Sequence, residues 1–263
     1  ANGLAGLGNL ALAGQSVAVT GAVYDFANPA YVAAPIDFGI VRAGTTLASR
    51  SVAVSNAVIT AAAYQDALTA AGSSANAKLS ATGFANLAAG AATADLVIGA
   101  NASLGGSLAG NVNVALTSVA AAAGLSNATT NGAAIAVTGA VYDYATAGLT
   151  SKVLAFGPIH VGAAAVTDTI AVANTLTAPA AGFQDNLSAS ATAVAGVSAT
   201  SVSELAAGSS ANLTFTADTS VARSLAGNVT LSLTSTGTVS GLDSRALTTS
   251  ATFSTTGLVY SGQ

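Results

Sequence analysis

The sequence predicts an all-β protein: two tandem immunoglobulin-like β-sandwich domains with an extra N-terminal strand. Three observations carry that prediction. The chain repeats itself at a spacing of 118 residues, its short runs alternate apolar and polar side chains, and Gly, Asn, Ser or Asp stand between the runs.

The repeat is the main signal. Val19-Thr20-Gly21-Ala22-Val23-Tyr24-Asp25-Phe26-Ala27 returns as Val137-Thr138-Gly139-Ala140-Val141-Tyr142-Asp143-Tyr144-Ala145, and in decayed form as Thr256-Gly257-Leu258-Val259-Tyr260. Thr20, Thr138 and Thr256 are each 118 apart. Between these copies the rest of the unit repeats in order. Phe38-Gly39 matches Phe156-Gly157, Tyr64-Gln65-Asp66 matches Phe183-Gln184-Asp185, and Ser107 to Val112 matches Ser224 to Val229. Ordered matches of this number establish a duplication.

Within each unit, period-two alternation marks strands. Ser51 to Asn56 puts Val52 and Val54 on one face, and Thr169 to Asn174 does the same with Ile170 and Val172. Residues 112–116, 212–217 and 229–233 alternate as clearly. The Ala-rich stretch at 119–123 is short and ends in Gly124, so it reads as a loop or single turn despite its helix propensity. The predicted organisation is an N-terminal arm at 1–30 with a surplus strand at about 15–27, a sandwich at 31–146, and a second at 147–263. A core of small Ala and Val residues is expected. Phe38, Tyr64 and Phe84 would anchor it in the first unit, and Phe156, Phe183 and Phe215 in the second.

Composition narrows the function. Charged residues are 6% of the chain and six Lys and Arg are scattered along it, so the clustered cations of a nucleic-acid binder are missing. Mean hydropathy is +0.65, yet every apolar run is broken well before the length of about 20 residues that a spanning helix needs. The aromatics recur at repeat positions, not as the girdles of a membrane barrel. There is no Cys and no Met. Position 1 is Ala, as removal of an initiator Met or of a signal peptide would leave it. The low charge and the lack of sulfur fit export better, so the expected location is extracellular or at the cell surface, after signal-peptide removal.

The segment Pro35-Ile36-Asp37-Phe38-Gly39-Ile40-Val41-Arg42-Ala43-Gly44, followed by Ser51 to Asn56, resembles the bacterial choice-of-anchor D repeats. These are relatives of the ASPM–SPD-2–Hydin immunoglobulin-like domains. The second copy keeps the pattern at Leu154 to Gly162 and Ile170 to Asn174, and the family's closing strand matches Val17 to Tyr24 and Ile135 to Tyr142. The copy at Phe253 to Tyr260 departs from it, with Ser254-Thr255 where the others have Ala-Val. The resemblance covers nearly the whole chain beyond the first ten residues. It implies an exported or surface-associated bacterial protein without known catalysis.

The closing strands also give a functional expectation. Residues 132–145 close the first sandwich and 250–260 the second, which leaves residues 15–27 as a third closing-type strand. A strand with Val17, Val19 and Val23 alternating, and Gly21 and Tyr24 at the repeat positions, is a template for self-assembly. It either adds to a sheet of another copy, giving a head-to-tail homopolymer, or packs on its own sandwich as an edge strand. The glycine-punctuated segment 1–14 is either a flexible lead or part of the same contact. The expected function is a structural subunit of an extracellular filament, sheath or matrix. The alternative is a monomeric surface adhesin or spacer.

Chemistry is not expected. His160 is the lone histidine and occupies the position of Arg42, so it reads as a solvated strand residue. The acids are isolated, with no calcium-loop spacing, and Asp66 and Asp185 read as turn caps. No catalytic residue, cofactor or metal ligand is assigned, and no small-molecule ligand is identified.

Overall fold

The computed structural model describes residues 11–248 and 251–261. Most of the expected 1–14 lead, and residue 250 of the last closing segment, lie outside the described residues.

Alternating side chains fold each repeat into two facing sheets. Unit one contains β1 (Pro29–Ala30), β2 (Ile36–Arg42), β3 (Arg50–Asn56), β4 (Ala67–Ser74), β5 (Leu79–Thr82), β6 (Phe84–Leu87), β7 (Ala94–Ala100), β8 (Gly106–Ser107), β9 (Gly110–Val119), β10 (Ala128–Asn131) and β11 (Ile135–Tyr142). Unit two contains β12 (Ala147–Leu149), β13 (Leu154–His160), β14 (Thr167–Asn174), β15 (Asn186–Thr192), β16 (Val197–Ala199), β17 (Val202–Leu205), β18 (Ser210–Ala217), β19 (Arg223–Ser224), β20 (Gly227–Thr236), β21 (Arg245–Ala246) and β22 (Thr252–Tyr260). The smaller sheet of unit one runs β1-β3-β7-β5 and the larger β2-β11-β9-β4-β6. Unit two runs β12-β14-β18-β16 and β13-β22-β20-β15-β17, the same order strand for strand. The chain is therefore two tandem β-sandwiches.

The alternation read in sequence sets the inward faces. Val112, Val114 and Leu116 of β9, and Val229, Leu231 and Leu233 of β20, are buried against Val52, Val54, Leu96 and Ile98 or their unit-two counterparts. The expected Ala and Val are well represented in the cores, but they are joined by more large side chains than expected. The largest fully buried side chains are Phe215 and a set of Leu and Ile that includes Leu68, Leu96, Ile98, Ile135, Leu187 and Leu213. Much of the Ala lies on outward-facing strand positions and in loops. Phe38, Phe156 and Phe215 do anchor the cores, whereas Phe84 and Phe183 are only half-buried. Tyr64 corrects the expectation outright: it is exposed and meets Tyr24 edge-on at 5.6 Å between ring centroids. It sits at the end of the sandwich, in a short 3-10 turn (Ala62–Tyr64), where neither sheet can cover it.

The Asn that ends β3 or β14 explains why those strands stop there. Asn174 is fully buried and donates to the carbonyls of Asp185 (2.9 Å) and Leu205 (3.0 Å). Its carbonyl accepts from Thr146 N–H and from Gln184 Nε2. Asn56 makes the same four bonds with Asp66, Leu87, Asn28 and Gln65. One side chain thus ties three loop segments at one end of each sandwich, with every polar atom satisfied.

The closing strands are central in the larger sheets. β11 pairs antiparallel with β9 and β8 and parallel with β2, with a bulge between Thr138 and Ala140. β22 does the same with β20, β19 and β13. At the bulge Gly139 has φ +140°, and a Cβ there would stand 2.9 Å from the Gly39 carbonyl oxygen. The equivalent Gly257 would bring a Cβ within 3.0 Å of Phe156 Cβ. Glycine is required where the two strands approach this closely.

Residues 11–24, which include most of the expected surplus strand, join no sheet among the described residues. The own-sandwich alternative for this segment is not formed either. Both sides of the closing position in unit one are already bonded, by β2 on one flank and β8 and β9 on the other, so the arm finds no slot there. Its first backbone bonds are at Asp25, whose N–H donates to Tyr64 O and whose carbonyl accepts from Asp66 N–H, each at 2.9 Å.

Candidate functional site

The arm carries the residues expected to mediate self-assembly, and the structure leaves them uncovered. Val17, Val19 and Val23 are 84%, 90% and 89% exposed. A Cβ added at Gly21 would meet nothing within 4 Å. Tyr24 alone is partly covered, by Tyr64. The five residues share one segment but no common partner among the described residues.

What the arm leads into is a junction of known geometry, because the chain contains one complete copy of it. β11 runs from unit one into unit two as the arm runs into unit one, and the contacts of the two segments correspond. Asp143 and Gln184 form a parallel bridge, as Asp25 and Gln65 do. Tyr142 packs on Phe183 at 5.6 Å, the separation of Tyr24 and Tyr64.

At the internal junction the end of unit one closes on the start of unit two. The Arg42 guanidinium, at the end of β2, pairs with the buried Asp185 carboxylate and donates at 2.9 Å to the Asp243 carbonyl. It also lies 4.3 Å over the Tyr144 ring, which Arg245 approaches at 4.8 Å. Such cation–π contacts add to the ion pair. Gly105 N–H donates to Asp143 at 3.1 Å, and a side chain at Gly105 would strike the Phe183 carbonyl at 2.5 Å. Sequence reasoning missed this seam. The available signal was the recurrence of Gln-Asp at 65–66 and 184–185; Arg42 gave none, since the second copy has His160 at that position.

The turn-cap expectation for Asp66 and Asp185 needs correction. Neither closes its own local turn. Asp66 accepts from Ser118 Oγ at 2.9 Å and Ala121 N–H at 3.0 Å, and Asp185 accepts from Ser240 N–H at 3.2 Å as well as from Arg42. Both are buried and fasten the loop that follows β9 or β20. His160 is exposed at the end of β13, as expected for a solvated strand residue, with its Nε2 2.8 Å from the Tyr260 hydroxyl.

Four carboxylates outside the junction are engaged structurally. The Gly39 N–H, then the Thr138 hydroxyl, hold Asp37 below its ordinary pKa. Hydroxyl and amide donors from Thr238 and Asn186 do the same to Glu204, and the Ser220 hydroxyl and N–H to Asp218. At Asp168 burial pushes upward, but bonds from Lys152 and from the Ala155 and Thr169 N–H groups outweigh it. Acids held low in this way are poor proton donors at neutral pH. No group of three or more His, Cys, Asp or Glu is placed to hold a metal among the described residues. An apolar hollow of about 220 Å³ lies between Phe26, Leu68, Leu116 and Thr130. A hollow of about 250 Å³ beside Tyr144 and Leu247 occupies a corresponding place in unit two, so these hollows belong to the fold. No helix among the described residues is long and apolar enough to cross a membrane.

No family model matches the chain, and no curated protein matches it significantly. Solved structures similar to it include the CupB6 tip adhesin from Pseudomonas aeruginosa, with 9% identity over 91% of this chain and 100% of that one at a TM-score of 0.32. CfaE, the adhesive subunit of CFA/I fimbria of enterotoxigenic Escherichia coli, shares 8% identity over 90% of this chain and 85% of that one, with a TM-score of 0.35. A protein of unknown function from Porphyromonas gingivalis W83 shares 13% identity over 88% of this chain and 99% of that one, with a TM-score of 0.32. Likeness at this level carries no argument about function.

Proposed function

We propose that the chain is a non-enzymatic structural subunit of an extracellular bacterial filament, sheath or matrix, assembling head-to-tail by strand donation from its N-terminal arm. The observation that carries this reading is the arm itself. It repeats the closing strand of the fold, yet its three valines stand in water. Exposed apolar strands are templates for pairing with another chain, and a heterologous contact of this kind propagates. The resemblance to choice-of-anchor D repeats belongs to the same proposal and supports an exported setting. The junction supports it too, because an ion-paired and stacked seam transmits orientation from one unit to the next.

Negative-stain electron microscopy of the full chain beside a chain lacking residues 1–27 tests the reading. Filaments from the full chain that are lost on truncation are expected. Monodisperse two-unit particles from both would replace the polymer with the second reading, a monomeric adhesin or spacer.

A further inference from the structure

We propose that the arm's acceptor is the closing-strand slot of unit two in a second copy, where residues Val17–Tyr24 take the place of Phe253–Tyr260. This rests on the head-to-tail reading above and names the surface and register it needs.

Three observations carry the assignment. The first is side-chain pattern. In β11 the inward residues are Ile135, Val137 and Val141, and in β22 they are Phe253, Thr255 and Val259, all buried. The arm offers Val17, Val19 and Val23 at the same steps. The second is Gly21. Glycine is demanded at this step by the close approach to the neighbouring strand, as Gly139 and Gly257 show, but within its own chain Gly21 touches nothing that would require it. A residue suited to a crowded site and found in an open one points to a site elsewhere. The third is the weakness of β22 as a closing strand. Thr255 is a buried hydroxyl, bonded to the Leu225 carbonyl at 2.6 Å, where unit one has Val137 and the arm has Val19. Exchange restores at that step the apolar side chain that unit one has at Val137, at the loss of the Thr255 hydrogen bond. Val17 fills less space than Phe253, so the arm gains least at the start of the slot.

Unit two is preferred over unit one as acceptor because β11 is fastened at its exit. Asp143 there holds Gly105 N–H and bridges Gln184, so β11 cannot leave without opening the internal junction. An arm seated in the unit-two slot brings Asp25 and Phe26 to the positions of Asp143 and Tyr144. His160 then stands where Arg42 does, facing Asp66 in place of Asp185. The contact between copies would repeat the Asp–Gln bridge and the aromatic step of the internal seam, with His160 and Ala222 where that seam has Arg42 and Gly105.

The absence of Cys makes the register testable by cross-linking. Ser254 lies opposite Asn228 across β22 and β20, and Ala18 would replace Ser254. A chain carrying Ala18→Cys is mixed with one carrying Asn228→Cys, so a disulfide between different partners can form only between copies. The expected result is a cross-linked product in assembling material, lost when Gly21→Val is added to the Ala18→Cys chain. That substitution meets open space in the free chain and leaves its melting temperature unchanged. Assembly without this cross-link, or with cross-linking that survives Gly21→Val, overturns the slot while the polymer reading stands. No assembly at all overturns both and leaves the arm to close some other sandwich.

Discussion

Removing the Arg42 cation from unit one should be felt in unit two. Asp185 is fully buried, and its carboxylate is held by Arg42 and by the Ser240 N–H. Arg42→Ala would leave a buried charge with one backbone donor. Breaking a buried pair from one side costs about 3–5 kcal/mol. The Arg42 side chain keeps 14% of its surface in water, so solvent can follow into the vacated space and lower the figure. The lost bond to Asp243 O and the lost cover on Tyr144 work the other way, by about 1–2 kcal/mol together. A net loss of about 3 kcal/mol in unit two is expected. With a urea m-value of about 1.5 kcal/mol/M, its midpoint should fall by about 2 M while that of unit one stays put. Urea titration by far-UV circular dichroism should therefore show one transition become two. Asp185→Asn and the double variant complete the cycle, with a coupling of at least about 1.5 kcal/mol. A native midpoint for Arg42→Ala, with coupling within about 0.3 kcal/mol of zero, would refute the reasoning, since the pair would then behave as a solvated one.

Three further outcomes can be measured on the same chain. Asn174→Ala strips partners from two carbonyls, one N–H and the Gln184 amide, and should cost unit two at least about 3 kcal/mol in the same titration. Gly139→Val forces a β-branched residue to φ +140° against the Gly39 carbonyl, and a loss of about 2–3 kcal/mol in unit one is expected. Acid should weaken the fold through Asp37, Asp168, Glu204 and Asp218, which all titrate lower when folded. The unfolded chain then takes up protons first, so their contribution is full above the open-chain values of 3.8 and 4.5 and is lost as pH falls toward the folded ones. Thermal melts from pH 7 to pH 2 should show a level melting temperature that drops below about pH 4.5; a rise on acidification would contradict this.

Much of the fold was legible because it depends on local pattern. Alternation placed the inward faces of β3, β9, β14, β18 and β20, and the repeat announced that both units share one topology. The Asn closing β3 and β14 ends both alternating runs, but its four bonds reach segments distant along the chain and were not legible there. Other features depend on where a unit ends. Tyr64 and Phe183 are equivalent in sequence, yet Tyr64 is exposed beside Tyr24 while Phe183 is partly covered at the junction. Asp66 and Asp185 differ for the same reason. A duplication hides such differences, since it presents as equal two residues whose neighbours are not. The Arg42–Asp185 pair spans 143 residues and joins two units, so no window along the chain contains it.

The parallel pairing of β2 with β11, and of β13 with β22, has a mechanical consequence. A chain that enters along one strand and leaves along a parallel neighbour exits at the opposite pole. Tension applied along the tandem therefore pulls the paired strands past each other lengthwise. The hydrogen bonds between them share that load together and do not open one at a time from an end. Resistance to stretching is set by the rate of unfolding under force, and this arrangement makes β2 with β11, and β13 with β22, a shear clamp in each sandwich. A row of such units would hold its length under drag or traction until a whole ladder gave way at once.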